Sequence, residues 1–495
     1  PTGYKALNSA NLPDPTILLP NKHFDTLLYT GNGATSSRAI TGLNFSPNWV
    51  WLKNRESTYH HQLHDTNRGT TGTSSSGGVL YSNNTQVEDN TYSLASFDSN
   101  GFSISKDNNQ QGQNNNGDDY VAWNWNAGDT DSATYRVVVV SDSGNKYRFR
   151  NSANTATFAQ SAVTLDLAEG GTYTFDQSDS TMSSHPMKLS TTANGTHGGG
   201  SSYNTGVTYE LDGSTVTESA FVSGFSSATS RKLIITVAAS APTLYYFCHY
   251  HSGMGGQVNT NSTLGSSNFD GDLQSTTKVN ATAGFSIVKW TSGANAYKTV
   301  GHGLGVKPDV VILKSRTTSN NWFVYTDVID GTNDFLELNS TNAAADAESY
   351  SIVPPTSTVF GTDGAFVSGS TNIPMIAYVF SSVKSYSKIG KYTGNGSNSG
   401  TFVFTGFKVQ FLLIKRTNTT EHWILADTKR NSNVGRESPA DSYLLASAAN
   451  GESTGIIYDM LSNGFKFRST SQNEGNSTYF YLAFAESPFK NSRAR

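Results

Sequence analysis

The feature that most constrains this chain is an internal repeat. Tyr29-Thr-Gly-Asn-Gly33 returns as Tyr392-Thr-Gly-Asn-Gly396. After each comes an apolar run ending in lysine, Trp49-Val-Trp-Leu-Lys53 and Phe411-Leu-Leu-Ile-Lys415, then a run ending at Asp65 or Asp427, then Asn100-Gly-Phe102 or Asn463-Gly-Phe465. A looser third copy lies between them, with Val310-Val-Ile-Leu-Lys314, Asn321-Trp322 leading to Asp327, and Asp363-Gly-Ala-Phe366. The copies close on similar strands, Tyr120-Val-Ala-Trp123, Ile376-Ala-Tyr-Val-Phe380 and Tyr479-Phe-Tyr-Leu-Ala-Phe484. Self-similarity of this kind means one supersecondary unit used several times.

Within each copy, short β-type runs alternate with Gly, Asn, Ser and Thr turns, the pattern of an antiparallel sandwich or jelly roll. The fold class expected is therefore all-β, an array of antiparallel β-sandwiches. At 495 residues the chain has about three domain lengths, so two to four separate cores are expected. The boundaries fall at 1–130, 263–385 and 386–495 for the repeats, with an unrelated insert at 131–262. Gln257 to Gln274, rich in Gly, Ser, Asn and Thr, reads as the linker leaving the insert. Ser438 to Ser447 reads as a short helix with Asp441 as its cap.

Composition narrows the function. Charged residues make up 15% of the chain, aromatics 12%, and the net charge is −4 with 34 Lys+Arg against 38 Asp+Glu. The basic residues form no cluster or stripe, so no nucleic-acid partner is expected. The longest apolar runs, such as Val137 to Val140, are far below the roughly 18 residues of a membrane span. The chain opens Pro-Thr-Gly-Tyr without an initiator Met or a leader, which reads as a portion of a longer protein. No G-x-S-x-G elbow, P-loop, H-E-x-x-H or dinucleotide fingerprint occurs, and the carboxylates are scattered, so a non-enzymatic protein is expected.

The recurrent residues read mainly as structure. Trp49 with Trp51, and Trp123 with Trp125, alternate on single faces and could form a sugar platform. The other copies carry Val310 and Ile312, or Phe411 and Leu413, at the positions of Trp49 and Trp51, which suits a packed core. His61, Trp322 and Trp423, eight residues after the recurrent lysine, are read the same way. Lys53, Lys314 and Lys415 recur with Asp65, Asp327 and Asp427, as a cross-strand ion pair or a turn-capping carboxylate would.

The insert holds the chain's single cysteine, in Tyr245-Tyr-Phe-Cys248-His-Tyr-His251-Ser-Gly-Met254-Gly-Gly256. Cys248, His251 and Met254 on one tight loop, joined by an upstream histidine, supply a thiolate, two imidazoles and a thioether, the donor set of a blue-type copper site. Packing is the competing explanation, with Cys248 and Met254 as buried hydrophobes. His249 points to the opposite face if its strand continues. This segment resembles the cupredoxin family, a β-sandwich with one upstream His and a closing Cys…His…Met loop. The resemblance implies His185, Cys248, His251 and Met254 as metal ligands and copper as the cofactor, with His197 competing as upstream ligand. The metal would serve as a structural staple or in electron transfer.

The repeats resemble a module of structural proteins of marine tailed phages, of the cyanophage appendage and tail-fibre type. The residues that carry this are Pro1-Thr-Gly-Tyr-Lys-Ala-Leu7, Asn11-Leu-Pro-Asp-Pro15, Tyr29-Thr-Gly-Asn-Gly33, Phe45-Ser-Pro-Asn-Trp-Val-Trp-Leu-Lys53, Tyr120-Val-Ala-Trp123 and Ala483-Phe-Ala-Glu-Ser-Pro-Phe489. The resemblance implies a virion structural protein, located in the extracellular particle. Its partners would be other virion proteins and a host-surface glycan or protein, with homo-oligomerisation as a trimer favoured and no membrane insertion. The alternatives are a secreted copper-binding redox protein with accessory sandwiches, and a carbohydrate-binding protein of cellular origin.

Overall fold

The structure, a computed structural model, describes residues 14–34, 36–69, 78–90, 93–104, 112–128, 131–155, 157–261, 265–293, 297–352, 354–363, 371–430, 441–456 and 458–490. The chain is all-β, built mainly of antiparallel sheets with a few short helical turns; in the insert, Leu165–Ala168 with Gly256–Asn261 and Thr172–Asp176 with Ser132–Ser141 pair parallel. Among the described residues no helix is long and apolar enough to cross a membrane.

Each repeat is a module of one large and one small sheet. In the first module Phe24–Thr30, Asp119–Trp125, Trp49–Asn54, Gln62–Asp65 and Leu80–Tyr81 lie side by side in that order, and Arg38–Thr41, Gly101–Ile104 and Leu94–Asp98 form the small sheet. The same order recurs in the second module, from Phe285–Thr291 through Pro374–Phe380, Val310–Ser315 and Phe323–Thr326 to Asp334–Glu337, and in the third, from Ser387–Thr393 through Thr478–Pro488, Phe407–Arg416 and Ile424–Asp427 to Asp441–Leu445. Val359–Asp363 takes the place of Gly101–Ile104 in the second module and Gly464–Phe467 does so in the third.

The apolar runs are buried on both faces, and this decides the assembly. Along Trp49–Asn54 the side chains alternate: Val50 and Leu52 pack on the small sheet with Ile40, Phe102 and Ile104, while Trp49 and Trp51 point the other way. Val310 with Ile312, and Phe411 with Leu413, do the same in their modules. These second faces do not make separate cores. All three meet in one shared core that also holds Trp123, Trp125, Tyr378, Phe380, Leu482 and Phe484. Each module and the insert thus keeps a core of its own, and the shared core is added to these, because a sheet apolar on both sides needs a second cover and each module supplies it to its neighbours. The four tryptophans of the first module are core residues, each at most 1% exposed.

The modules contact one another cyclically, through equivalent atoms. Glu88 N–H donates to Arg316 O of the second module, Ala344 N–H of the second to Thr417 O of the third, and Glu452 N–H of the third to Arg55 O of the first. The indole N–H of Trp322 donates to Tyr81 O and that of Trp423 to Glu337 O, both at 2.8 Å. His61, in the corresponding place, faces Leu445 O in a looser contact. Tyr81, Glu337 and Leu445 are themselves register equivalents, paired with Gln62, Phe323 and Ile424. A head-to-tail contact repeated three times and returning to its start is a closed ring.

Three sequence expectations change here. The recurrent lysines do not pair with the aspartates. Buried Lys53 donates to Asn54 O and Ser57 O, Lys314 to Thr85 O, and Lys415 to Thr341 O and Arg416 O. Of the two roles expected for the aspartates, turn capping is the one seen: Asp65 and Asp427 accept the backbone N–H and the guanidinium of Arg68 and Arg430. Asp327 is no equivalent of theirs, since the residue opposite the start of Val310–Ser315 is Thr326 and Asp327 pairs with Lys307. Asp441–Leu445 is a strand, not part of a helix, because it supplies the edge that Ile424–Asp427 pairs with; 438–440 lie outside the described residues. The stretch read as a linker contains two strands, Gly256–Asn261 and Ser266–Asn268, that pair into the insert and the second module. Residues 107–111 of the polar tract 107–119, and Gly364 to Phe366, also lie outside the described residues.

The insert is a two-sheet sandwich with its own core. A six-stranded sheet around Ser132–Ser141, Thr172–Asp176 and Arg231–Thr236 faces a four-stranded sheet of Leu165–Ala168, Gly256–Asn261, Leu244–Cys248 and Met187–Ser190. Tyr135, Phe149, Phe175, Leu189, Phe221, Ile235 and Tyr246 fill the space between. Lys278–Asp131 and Thr276–Asp166 tie the insert to the second module.

Candidate metal centre

Cys248 ends the strand Leu244–Cys248 and lies opposite Met187 in the neighbouring strand. Two residues before Met187, the chain leaves the turn Ser180–Met182 and places His185, whose N–H donates to Met182 O and whose carbonyl accepts the Tyr147 hydroxyl at 2.9 Å. The returning loop is held from outside. Asn194 donates to Ser252 Oγ and accepts Gly253 N–H, both at 2.8 Å, Lys146 donates to Gly253 O, and Tyr147 N–H donates to Met254 O. Gly255 is required at the end of this loop, since a Cβ there would stand 1.6 Å from Tyr246 O.

These supports bring together side chains far apart in sequence. One ligand atom each of His185, Cys248 and His251 lies within 4.8 Å of the others. Cys248 Sγ is 3.9 Å from His185 Nδ1 and 3.6 Å from His251 Nδ1. A metal at roughly 2.0–2.1 Å from nitrogen and 2.3 Å from sulfur, with angles of about 110–120°, needs N···S separations of about 3.6–3.8 Å. The donor set and its spacing therefore fit a thiolate–bis-imidazole metal ion. Cys248 and His185 are buried whereas His251 is exposed. Met254, 1% exposed, sits in the same apolar cluster as Cys248.

Burial, followed by the neighbouring His251, lowers the pKa of His185 and favours the neutral imidazole that can ligate. Burial and then the Cys248 thiol raise that of Tyr147. His197 is not among the clustered groups: its Nε2 lies 3.1 Å from the Cys248 carbonyl oxygen, so it braces the backbone of the ligand loop. His249 N–H donates to Pro186 O, and its ring lies among Lys188, Glu218 and His197, away from the cluster. In sequence Asn194 shows only an Asn-X-Thr triplet of the kind that chance supplies in an Asn- and Thr-rich chain, and nothing sets Tyr147 apart; only the fold shows what they hold.

An all-β ring of three sandwich modules carrying a sandwich insert with a cysteine–histidine cluster is the class of protein defined here. The chain belongs to a family described as a domain of unknown function, DUF7483, whose model matches residues 19–148 and 259–488. Those two segments contain the modules, and the unmatched stretch between them contains His185, Cys248, His251 and Met254. No curated protein and no solved structure gives a significant match.

Proposed function

We propose that the chain is a non-enzymatic structural protein of a phage virion, part of a tail fibre or surface appendage that attaches to the host surface. The observation that carries this is the shared core. Three modules spend their apolar faces on one another, which makes a rigid scaffold and leaves loops rich in Ser, Thr, Asn and Gly at the rim. Such rims suit weak polar contacts made many times over, and homo-oligomerisation, as a trimer, would multiply them. Mass spectrometry of purified virions tests the reading: the polypeptide is expected among the particle proteins, and its absence would overturn it.

A second reading is favoured by the His185–Cys248–His251 cluster, namely that the insert binds copper. Bound copper would supply one-electron redox chemistry, and His251, the exposed member, would connect it to solvent. Elemental analysis with a visible absorption spectrum, on wild type and Cys248→Ala, decides it. Stoichiometric copper and a charge-transfer band lost with the substitution support a redox insert; a colourless zinc form supports a structural staple; a metal-free protein leaves the three side chains as packing.

A further inference from the structure

The ring supplies its own control for which surface residues the fold requires. In the first module the outward side chains of the small sheet are small or hydroxylic: Ala39 and Thr41 on the edge strand, then Ser103 and Ser96 beside Asp98. The inward positions Ile40 and Phe102 are matched in the third module by Val403 and Phe465, all buried. Outside, the third module differs. Phe402 and Phe404 occupy the places of Ala39 and Thr41 and are 45% and 52% exposed.

Because the first module folds the same sheet with alanine and threonine there, packing does not account for the phenyl rings. They project from one side of an edge strand, roughly 7 Å apart along it. The Phe402 ring rests against Gly464, where an added Cβ would stand 3.1 Å from Cε2, while much of the residue stays open to solvent. Cations surround the pair. Lys388 donates to Phe404 O and sits 5.7 Å from that ring's centroid, and Lys466 lies directly across from Phe402. Asp459, the carboxylate opposite Lys466 on the next strand, is taken by Arg468. The face is thus aromatic with an excess of positive charge, on a chain whose net charge is −4.

We propose that this face binds an acidic polysaccharide, with sugar rings stacked on Phe402 and Phe404 and carboxylate or sulfate groups paired with Lys388 and Lys466. The proposal rests on the attachment reading and names its ligand class. A second copy of the chain fits less well, since the excess positive charge calls for an anionic partner and the phenyl rings suit the C–H faces of sugars.

The test is titration of the full chain with polygalacturonate and a sulfated galactan, with neutral dextran as control, and light scattering of each protein. Phe402→Ala with Phe404→Thr installs the first module's own residues and should leave thermal stability unchanged. Wild type is expected to bind at least one polyanion, to ignore dextran and to weaken as salt rises. The double variant is expected to lose at least tenfold in affinity, and Lys388→Gln with Lys466→Gln to lose binding and its salt dependence. Equal binding by the phenylalanine variant, or none by wild type, overturns the proposal. So does self-association of wild type that the variant abolishes, which makes the face a contact between copies. Polypeptide present in virions without polyanion binding rejects this inference alone, whereas its absence from virions rejects the attachment reading whatever the titration shows.

Discussion

Trp123 donates its indole N–H to Oδ2 of Asp427 at 3.1 Å, from the first module to the third. The contact repeats where Tyr378 of the second module donates to Asp65 Oδ2 of the first at 2.8 Å. At the remaining junction both partners are gone: Leu482 stands in the place of Trp123 and Tyr378, and Thr326 in that of the aspartates. The surroundings change with them. Arg68 and Arg430 are replaced by Ile329, Glu88 and Glu452 by Ala344, and Arg316 and Arg55 by Thr417. Donor, acceptor and counter-ion have been exchanged together, as expected if no buried polar group is to be left unpaired.

Asp427→Ala removes the main partner of Arg430, whose side chain is fully buried, and is expected to cost about 3–5 kcal/mol. Thr326→Ala, at the apolar junction, is expected to cost about 1 kcal/mol. Urea denaturation of the two variants measures the difference; equal costs would show that the junctions are not polarised as described.

All seven tryptophans are buried, six of them in the shared core, and none lies in the insert. Tryptophan fluorescence should therefore report one cooperative transition for the three modules and be blind to the insert. Residues 386–495 produced alone would expose Phe411, Leu413, Phe480 and Phe484 and should aggregate or melt far below the intact chain.

Burial lowers the pKa of Lys53 to about 7 and those of Lys314 and Lys415 to about 8. In the unfolded chain these lysines titrate near ~10.4. Between the two values the unfolded chain binds more protons, so stability is expected to rise with pH from about 7 toward 9.5. The penalty is fully present below the folded pKa. Lys53→Met should raise stability at pH ~6.5 by about 1–2 kcal/mol and flatten the profile, as read by urea midpoints at several pH values.

The two candidate upstream histidines separate cleanly. His185→Ala is expected to abolish stoichiometric metal binding, whereas His197→Ala, which loses only a brace on the Cys248 carbonyl, should retain the metal with affinity reduced about 10–100-fold. Elemental analysis and competitive chelation measure both.

The repeat made the three modules legible, because each copy carries its own turns and paired strands. The roles of the repeated polar residues were less so. Asp327 matched the other copies by residue type, but the spacing that relates Lys53 to Asp65 and Lys415 to Asp427 lands on Thr326, and strand register likewise places Thr326 beside the shared core and leaves Asp327 to pair with Lys307 outside. In the insert, three candidate ligands lie on one short loop and could be read from their spacing. Choosing between His185 and His197 needed the strand pairing of Met187 with Cys248, which connects residues 61 apart in sequence.

Sequence alone determined the all-β class, the internal copies and the Cys248, His251 and Met254 loop, since alternation, turn residues and ligand spacing are local properties of a chain. Only the tertiary structure decided that the copies close into a ring around one core, that two junctions are polar and one apolar, and that His185 joins the loop. Each of these depends on which faces and carbonyls meet across long stretches of chain, and sheet register, which no local pattern records, sets those meetings.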